Sequence, residues 1–226
     1  MFTGFTMETS RFLWDLSFNN ERPWFLEHKE QFERCLNQPF KALAAETLEQ
    51  MRRRFPQLEL EDHVSRIYRD ARRLFGRGPY KDHLWFTVYT AASGKHGPGF
   101  WFEIGPAQYS YGLGFFETTP AAMAVFRRMV DANPARFERL ARQTERLPGF
   151  RVIGPEYKRP KGDYGEPISH WYNRRYLAIE SAHDFGGDVL DRRLPEILTE
   201  AFGKLMPLHD FLLEVWFAAR EETDHV

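Results

Sequence analysis

The sequence has a single cysteine, Cys35, in 226 residues. One cysteine excludes a disulfide within the chain and zinc sites built on several cysteines, and it is typical of a reducing compartment. Cys35 falls on the apolar stripe of a predicted helix, where a buried, inert thiol is expected. No stretch approaches the roughly 20 apolar residues of a transmembrane helix, and the N-terminus lacks a signal peptide. We therefore expect a cytoplasmic protein without membrane contacts.

The chain also lacks a large net charge, since its formal charge at pH 7 is −1. A nearly neutral chain argues against a protein that binds long nucleic acids over much of its surface. The charge is uneven, however. Residues 64–83 contain six Arg or Lys and two Asp, whereas residues 180–226 contain four Arg or Lys and eleven Asp or Glu. A local basic site suits a small anionic ligand, although solvated surfaces of opposite sign explain the pattern equally well.

Common catalytic motifs are missing. The chain has no P-loop, no nucleophile elbow and no H-E-x-x-H, and Gly112-Leu113-Gly114 lacks the third glycine and the following helix of a dinucleotide site. The eight histidines are scattered. A metal site would therefore need ligands from distant segments, for instance His83, His170 and Glu103 or Asp70, and we predict none. The sequence identifies no cofactor.

The sequence does contain a succession of helices, then strands, then helices. Apolar residues at helical spacing predict three helices before residue 56, the first capped by Thr6. Short aromatic and β-branched runs then predict strands at Val64–Asp70, Leu84–Ala91, Gly99–Gly105, Gln108–Glu117 and Tyr176–Ser181. Two helices start at Thr119-Pro120 and Asn133-Pro134, Phe150–His170 is predicted as a long loop, and Pro207 is expected to separate two C-terminal helices. We predict one α+β domain, residues 1–226, with a single antiparallel β-sheet meander and helices packed mainly on one face.

The strands present two different faces, because alternate residues point to opposite sides of a sheet. One face is apolar and should pack under the helices: Leu84, Phe86, Val88, Phe100, Phe102, Ile104, Tyr109, Tyr111, Leu113 and Phe115. The other face contains Trp85, Trp101, Glu103, Gly112 and Gly114. Two glycines on one face leave a shallow groove, which is either a ligand site walled by the tryptophans or a place where another segment of the protein crosses.

The densest charge lies in the segment from Ser65 to His83, SRIYRDARRLFGRGPYKDH. Arginine supplies paired donors that match phosphate or carboxylate oxygens. Strand alternation places Arg66, Tyr68 and Asp70 on one face and Ile67 and Arg69 on the other. Arg69 should therefore have a carboxylate partner or lie near the edge of the strand, since an unpaired charge on the core side is costly. Asp70, beside several arginines, should stay ionised.

This segment resembles the signature of domain-of-unknown-function family 2461, bacterial and fungal proteins of about this length. The family has an R-I-Y-R-D run followed by P-Y-K-x-H, and the sequence has both, at residues 66–70 and 79–83. The opening Gly4-Phe5, the Asn19-Asn20 pair, the Gly-x-Gly at residue 112, Arg159–Gly162 and Pro207-Leu208 match as well. The bridge at residues 71–78 departs from the family, because a serine and two lysines are missing. The resemblance implies one folded domain and supports the same residues, but it implies no activity.

Three hypotheses remain open. In the first, the protein binds a small anionic, phosphorylated ligand on the open sheet face, and the binding residues are Arg66, Arg69, Arg72, Arg73, Tyr80, Lys81, Trp85, Trp101, Gly112 and Gly114. If the protein is an enzyme, His83 is the candidate general acid–base because the pKa of histidine lies near neutrality, and Asp70 or Glu103 would orient it.

The second hypothesis is a non-enzymatic module that binds nucleic acid or a protein partner. It would use the basic residues of the segment from Ser65 to His83 and a second basic patch, with nucleic-acid bases stacked on interleaved aromatic rings. The patch contains Lys158, Arg159, Lys161, Arg174 and Arg175 among Tyr157, Tyr164, Trp171 and Tyr172. The favoured interpretation of that patch is a charged surface loop whose aromatic residues pack against the core. The third hypothesis is an internal Arg–Asp ion-pair network without a ligand.

Overall fold

The computed structural model describes residues 1–70, 72, 74 and 78–224. The chain begins with helices α1 Met7–Phe18, α2 Arg22–Glu27, α3 Lys29–Phe32 and α4 Gln38–Arg54, and a π-helical turn, Glu33–Asn37, leads into α4. As predicted, Thr6 is the N-cap of α1, and Asn19 is its C-cap. Pro39 lies in the first turn of α4, directly after the π-helical turn.

Six strands form one antiparallel open sheet. They are β1 Leu60–Val64, β2 Leu84–Thr90, β3 Gly99–Ile104, β4 Gln108–Phe115, β5 Phe150–Ile153 and β6 Leu177–Asp184. The strand order is β1-β2-β3-β4-β6-β5, and Phe150 of β5 pairs with Ser181 of β6. The first four strands form a meander in which β2 to β4 lie where they were predicted, and the α+β class is confirmed.

Two strand predictions were wrong in their bounds. The predicted strand Val64–Asp70 shares only Val64 with the observed strand β1, Leu60–Val64. The predicted loop from Phe150 begins instead with β5, which pairs with β6 at the edge of the sheet. The signal for β5 was weak because the strand has four residues, of which only Val152 is buried.

The helices after the sheet begin where their capping residues predict. Helix α5, Pro120–Ala132, is capped by Thr119, whose Oγ1 accepts a hydrogen bond from the N–H of Ala122 at 3.1 Å. Helix α6, Pro134–Glu145, is capped by Asn133, whose Oδ1 accepts from the N–H of Arg136 at 3.0 Å. These side-chain oxygens satisfy donors that have no partner within the helix. Helix α7, Ile168–Tyr172, follows β5.

The C-terminal helix is continuous. We predicted that Pro207 would separate two helices, but α8 runs from Leu194 to Asp224 with Pro207 inside it. A proline in a helix removes one backbone hydrogen bond and costs about 3 kcal/mol. The ring of Pro207 is exposed, while Leu205, Leu208 and Leu212 are buried on the apolar stripe. Burial of leucines on both sides of the proline offsets the lost bond, since each buried leucine contributes about 2 kcal/mol.

The sheet has the predicted apolar face. All ten residues assigned to that face are at most 8% exposed. The opposite face is open only in part, which corrects the expectation of one open surface: Trp85, Thr87 and Glu103 are half-buried, whereas Trp101 and Ser110 are buried.

The chain forms two compact units, each built from three stretches. Unit 1 comprises Met1–Val88, Phe102–Ser110 and Ala182–Glu200, and unit 2 comprises Tyr89–Trp101, Tyr111–Ser181 and Ala201–Val226. The core of unit 1 contains the rings of Phe5, Phe40, Phe86 and Phe102. The core of unit 2 contains those of Phe126, Phe137, Trp171 and Phe211. A single domain over residues 1–226 stays a prediction. Within the described ranges, none of the helices is both long and apolar enough to cross a lipid bilayer.

Candidate functional site

The R-I-Y-R-D and P-Y-K-x-H segments pair with each other in unit 1. The N–H of Arg69 donates to the carbonyl of Pro79 at 2.8 Å, and the N–H of Lys81 donates to the carbonyl of Ile67 at 2.7 Å. Tyr68 and Tyr80 face each other across this short antiparallel bridge. Residues about a dozen positions apart in the sequence are thereby brought side by side.

Asn20, in the turn between α1 and α2, holds the second segment in place. Its Nδ2 donates to the carbonyl of Tyr80 and its Oδ1 accepts from the N–H of Tyr80, both at 2.9 Å. A Cβ atom at Gly78 would lie 2.2 Å from Oδ1 of Asn20, so this close approach requires glycine. The ring of Tyr80 stacks on Phe25 at 4.1 Å between centroids. The structure thus explains the Asn19-Asn20 pair that the sequence pattern singled out.

Strand alternation separates the basic residues between Ser65 and His83 into two groups. As predicted, Arg66, Tyr68 and Asp70 are exposed, whereas Ile67 is buried and Arg69 half-buried. On the exposed side, Arg72 binds Asp70 through two hydrogen bonds, Nε to Oδ1 at 3.0 Å and Nη2 to Oδ2 at 2.8 Å. The side chain of Arg72 is 88% exposed. Arg73, also predicted to bind ligand, lies outside the described residues.

The second group, which we call the inner cluster, consists of Arg69, Lys81, Asp82, His83 and Trp85. Nε of Arg69 donates to the carbonyl of Tyr80 at 2.7 Å, and its Nη2 lies 3.5 Å from Oδ1 of Asp82. The same Oδ1 atom lies 2.9 Å from Nδ1 of His83. Arg69 therefore has the carboxylate partner that its position on the inner face predicts.

Asp82 is the site residue that the sequence analysis missed. We named Asp70 or Glu103 as the carboxylate that would orient His83, but the contact at 2.9 Å is with Asp82. The signal was its position directly before His83 in the P-Y-K-D-H segment. Asp70 was selected because several arginines surround it in the sequence, but its carboxylate binds Arg72 on the exposed side.

Lys81 and Trp85 complete the inner cluster. The Nζ atom of Lys81 lies 5.8 Å from the centroid of the indole ring, within the range of a cation–π interaction. Burial, together with the positive charge of Arg69, lowers the pKa of Lys81 below its ordinary value, and the negative charge of Glu103 partly opposes this shift. His63, which the sequence analysis treated only as a scattered histidine, contacts Trp85 at 5.3 Å between ring centroids.

The pKa of Asp82 is lowered. Burial acts to raise it, but the hydrogen bond from His83, the hydrogen bond from the backbone and the positive charges of His83 and Arg69 together prevail. A carboxylate whose pKa is lower in the folded protein stabilises the fold above its unfolded pKa, and this contribution disappears as the pH falls through the folded pKa.

We expect Asp82→Asn to lower the free energy of unfolding at pH 7 by no more than about 1 kcal/mol, because the side chain is 45% exposed and the pair is screened by water. The difference should vanish as the pH falls below the lowered pKa of Asp82. Urea unfolding of both proteins at a series of pH values measures it, with Asp62→Asn, a half-buried aspartate of β1, as the matched control. A difference that stays constant down to acidic pH would contradict the assignment.

Several predicted site residues do not belong to the inner cluster. The side chain of Tyr80 is 3% exposed and packs beside Phe25 and Tyr68. In unit 2, Trp101 is 8% exposed and contacts Phe116 edge-on.

The two glycines of the predicted groove are explained by packing within unit 2. A Cβ atom at Gly112 would lie 1.9 Å from the carbonyl oxygen of Ile179 on β6. A Cβ atom at Gly114 would lie 2.1 Å from the ring of Phe116, which covers that position. The second interpretation of the glycines, that another part of the protein occupies this surface, is therefore the one that these contacts favour.

Other chemistries find little support in the described parts of the chain. No group of three or more His, Cys, Asp or Glu side chains there is arranged to hold a metal ion. Cys35 is 5% exposed, and burial raises the pKa of its thiol to about 12. A thiol with such a pKa is almost entirely protonated at neutral pH, so Cys35 is a poor nucleophile.

Comparison with known proteins gives a family and no activity. No curated protein matches the chain. The model of the conserved hypothetical protein family DUF2461 matches residues 8–211, a range that includes both paired segments and the whole inner cluster. The chain therefore belongs to the DUF2461 family of conserved hypothetical proteins.

Proposed function

We propose that the protein binds a small anionic ligand, best a phosphorylated one, at the inner cluster. The observation that carries the proposal is the backbone pairing of residues 67–69 with residues 79–81, which brings the half-buried Arg69 and Lys81 into one short bridge. Bringing two cations together away from bulk water costs free energy in the empty protein. An anion between them would offset that cost, and its binding would raise the pKa of Lys81.

The donors of Arg69 are suited to an additional oxyanion. Its Nη2 contacts Asp82 at 3.5 Å, a longer distance than the 2.8 Å between Arg72 and Asp70. Asp82 also contacts His83, so one carboxylate serves two neighbours. The planar guanidinium of Arg69 therefore keeps donor capacity for phosphoryl or carboxylate oxygens.

Trp85 supplies an apolar surface beside the cations. Trp85 lies on β2 and is half-buried, and its ring contacts Lys81 of the paired segments and His63 on β1. Small-molecule sites combine such aromatic walls with a few placed polar groups. A phosphorylated ligand with an organic portion fits this combination better than free phosphate does.

The contact between Asp82 and His83 favours acid–base chemistry on the bound ligand. A carboxylate at Nδ1 orients the ring and leaves Nε2 for proton transfer. The side chain of His83 is 33% exposed, so that it has access to a ligand from solvent. In this proposal Asp82 positions His83, the role that the sequence hypothesis gave to Asp70 or Glu103.

The ion-pair alternative explains less of the arrangement. The pair of Arg72 with Asp70 is exposed on both sides, at 88% and 38%, and exposed pairs contribute little to stability. Arg69 is the more buried cation, yet its pair with Asp82 is the longer one. A network that served only stability would place its shortest pair at its most buried charge.

We expect the Arg69→Ala/Lys81→Ala variant to lose binding of pyrophosphate, used as the probe, at the inner cluster. Isothermal titration calorimetry measures the affinity, and thermal unfolding against a panel of phosphate compounds and nucleotides, each at two salt concentrations, identifies better ligands. Because Arg69 also binds the carbonyl of Tyr80, Lys81→Met serves as a second variant that leaves that bond in place. It should weaken binding at least about tenfold.

The matched control is Arg66→Ala/Arg72→Ala, which removes the same charge from the exposed side of the same segment. Its affinity should stay within about twofold of the wild type, since distant exposed charges are screened. Equal losses in the two double variants would reject the inner cluster as a defined site and would favour a diffuse electrostatic effect.

A further inference from the structure

A second group of cations surrounds one aromatic ring in unit 2. The Nζ atom of Lys161 lies 4.7 Å from the centroid of the Tyr157 ring, and the guanidinium carbons of Arg127 and Arg175 lie 5.2 and 5.5 Å from it. Two of these cations belong to the second basic patch of the sequence, and Arg127 comes from α5. We call this group the Tyr157 cluster.

Backbone pairing builds the Tyr157 cluster. The N–H of Tyr157 donates to the carbonyl of Asn173, and the N–H of Arg175 donates to the carbonyl of Pro155, both at 2.9 Å. Oδ1 of Asn173 accepts from the N–H of Lys161 at 2.6 Å, which folds the loop back over the paired segments. The three cations therefore converge because of the fold, and not by the chance orientation of long side chains.

The carboxylates nearby are already engaged. Glu156 pairs with Arg174 at 3.3 Å, and Oδ1 of Asp131 accepts hydrogen bonds from the hydroxyls of Tyr164 and Tyr172 at 2.5 and 2.9 Å. Arg127 donates to the carbonyls of Tyr172, Arg174 and Met123 at 3.1, 3.2 and 3.3 Å, contacts that hold its side chain without neutralising it.

Three positive charges are thus held together without an acidic partner. In the part of the chain that the structure describes, Arg127, Lys161 and Arg175 form no ion pair within 4.0 Å. Like charges grouped around one ring repel one another, and the tyrosine ring only partly compensates for the repulsion. An anion that contacts all three would remove it.

Two of the four aromatic residues of the patch, Trp171 and Tyr172, are not available for stacking on nucleic-acid bases, whereas Tyr164 is 40% exposed. Trp171 is fully buried and donates through Nε1 to Glu145 at 2.6 Å. Tyr172 is 6% exposed, and the ring of Tyr157 is engaged by the cations. Single-stranded nucleic acid is normally bound by exposed rings along a basic groove, so these contacts favour a small anion.

We propose that Arg127, Lys161 and Arg175 form a second anion-binding site that takes a phosphoryl group of a small molecule. Arg127, held by three backbone carbonyls, is the fixed donor of the site. Lys161 and Arg175 are exposed. In this proposal both side chains contact the ligand, Lys161 from the loop and Arg175 from the segment that pairs with Pro155. This site rests on contacts within unit 2 and is independent of the inner cluster.

The test is a calorimetric titration with pyrophosphate of the wild type and of Lys161→Ala/Arg175→Ala. Both side chains are exposed, so the unfolding midpoint of the variant should be unchanged. We expect the wild type to bind two pyrophosphate ions and the variant to bind one, with affinity at the altered site weakened at least about tenfold. The matched control, Lys158→Ala/Arg159→Ala, removes the same charge from the same loop and should still bind two.

The outcomes separate this proposal from the first one. If Lys161→Ala/Arg175→Ala binds as many ions as the wild type, the second site is rejected. If the stoichiometry falls with this variant but not with Arg69→Ala/Lys81→Ala, the second site stands and the inner cluster fails. A single-stranded oligonucleotide that binds the wild type more tightly than pyrophosphate, with equal losses in both loop variants and a steep salt dependence, would reject a small-anion site in favour of a nucleic-acid surface.

Discussion

Replacing Phe40 by Ala is expected to lower the free energy of unfolding by about 3–5 kcal/mol. Phe40 lies on α4 with no exposed surface, and its ring lies 5.7 Å from that of Phe86 and 6.1 Å from that of Phe102. Truncation removes the transfer free energy of the ring and leaves a cavity between α4 and the apolar face of the sheet. The surrounding rings cannot fill such a cavity without leaving their own contacts.

Urea unfolding, followed by circular dichroism, measures the loss of stability. Phe18→Ala is the matched control, because Phe18 ends α1 with a side chain that is 78% exposed. Its cost should stay below about 0.5 kcal/mol, as for other surface substitutions. Equal costs at the two positions would mean that the rings around Phe40 do not form the core of unit 1.

The Gly112→Ala substitution is expected to destabilise the protein by about 3 kcal/mol. The added Cβ atom would lie 1.9 Å from the carbonyl oxygen of Ile179 and 3.2 Å from the Cα atom of Glu180. Both are backbone atoms of β6, the neighbour of β4 in the sheet. A side chain can rotate away from a clash, but here the two strands themselves would have to separate, which breaks their hydrogen bonds.

Gly105→Ala is the control for this prediction. At residue 105 the nearest atom to an added Cβ is the carbonyl oxygen of Gln108 at 3.6 Å, an ordinary contact. The control should be neutral or slightly stabilising, since alanine restricts the unfolded chain more than glycine does. If Gly112→Ala unfolds at the same urea concentration as Gly105→Ala, the close approach of β4 and β6 is not as described.

The two glycines of the predicted groove show how one sequence pattern has two physical explanations. Small residues at alternate positions of a strand leave space on one face, and the pattern alone does not say what uses that space. The structure assigns the space at Gly112 to the backbone of β6 and the space at Gly114 to the ring of Phe116. The partner of Gly112 depends on the tertiary fold, whereas Phe116 lies only two residues after Gly114 in the chain.

Pro207 and β5 were mispredicted for a related reason. Local rules place a helix break at proline and a loop in a segment rich in glycine, proline and lysine. Burial of the leucines on both sides of Pro207 overrides the first rule, and pairing with β6 overrides the second. In each case an interaction between distant segments outweighs a local preference of a few kcal/mol.

The sequence by itself determined the α+β class, the strands β2 to β4 of the meander, the buried face of the sheet and the starts of α5 and α6. These features depend on periodicity and capping, which act between residues at most a few positions apart. It also identified the segment from Ser65 to His83 and the faces of Arg66 and Arg69. Only the tertiary structure decided that Asp82 contacts His83, that Arg69 and Lys81 come together, and that Arg127 joins Lys161 and Arg175 around Tyr157. Charges become neighbours through pairing of segments that are apart in the chain, and no local pattern specifies such pairing.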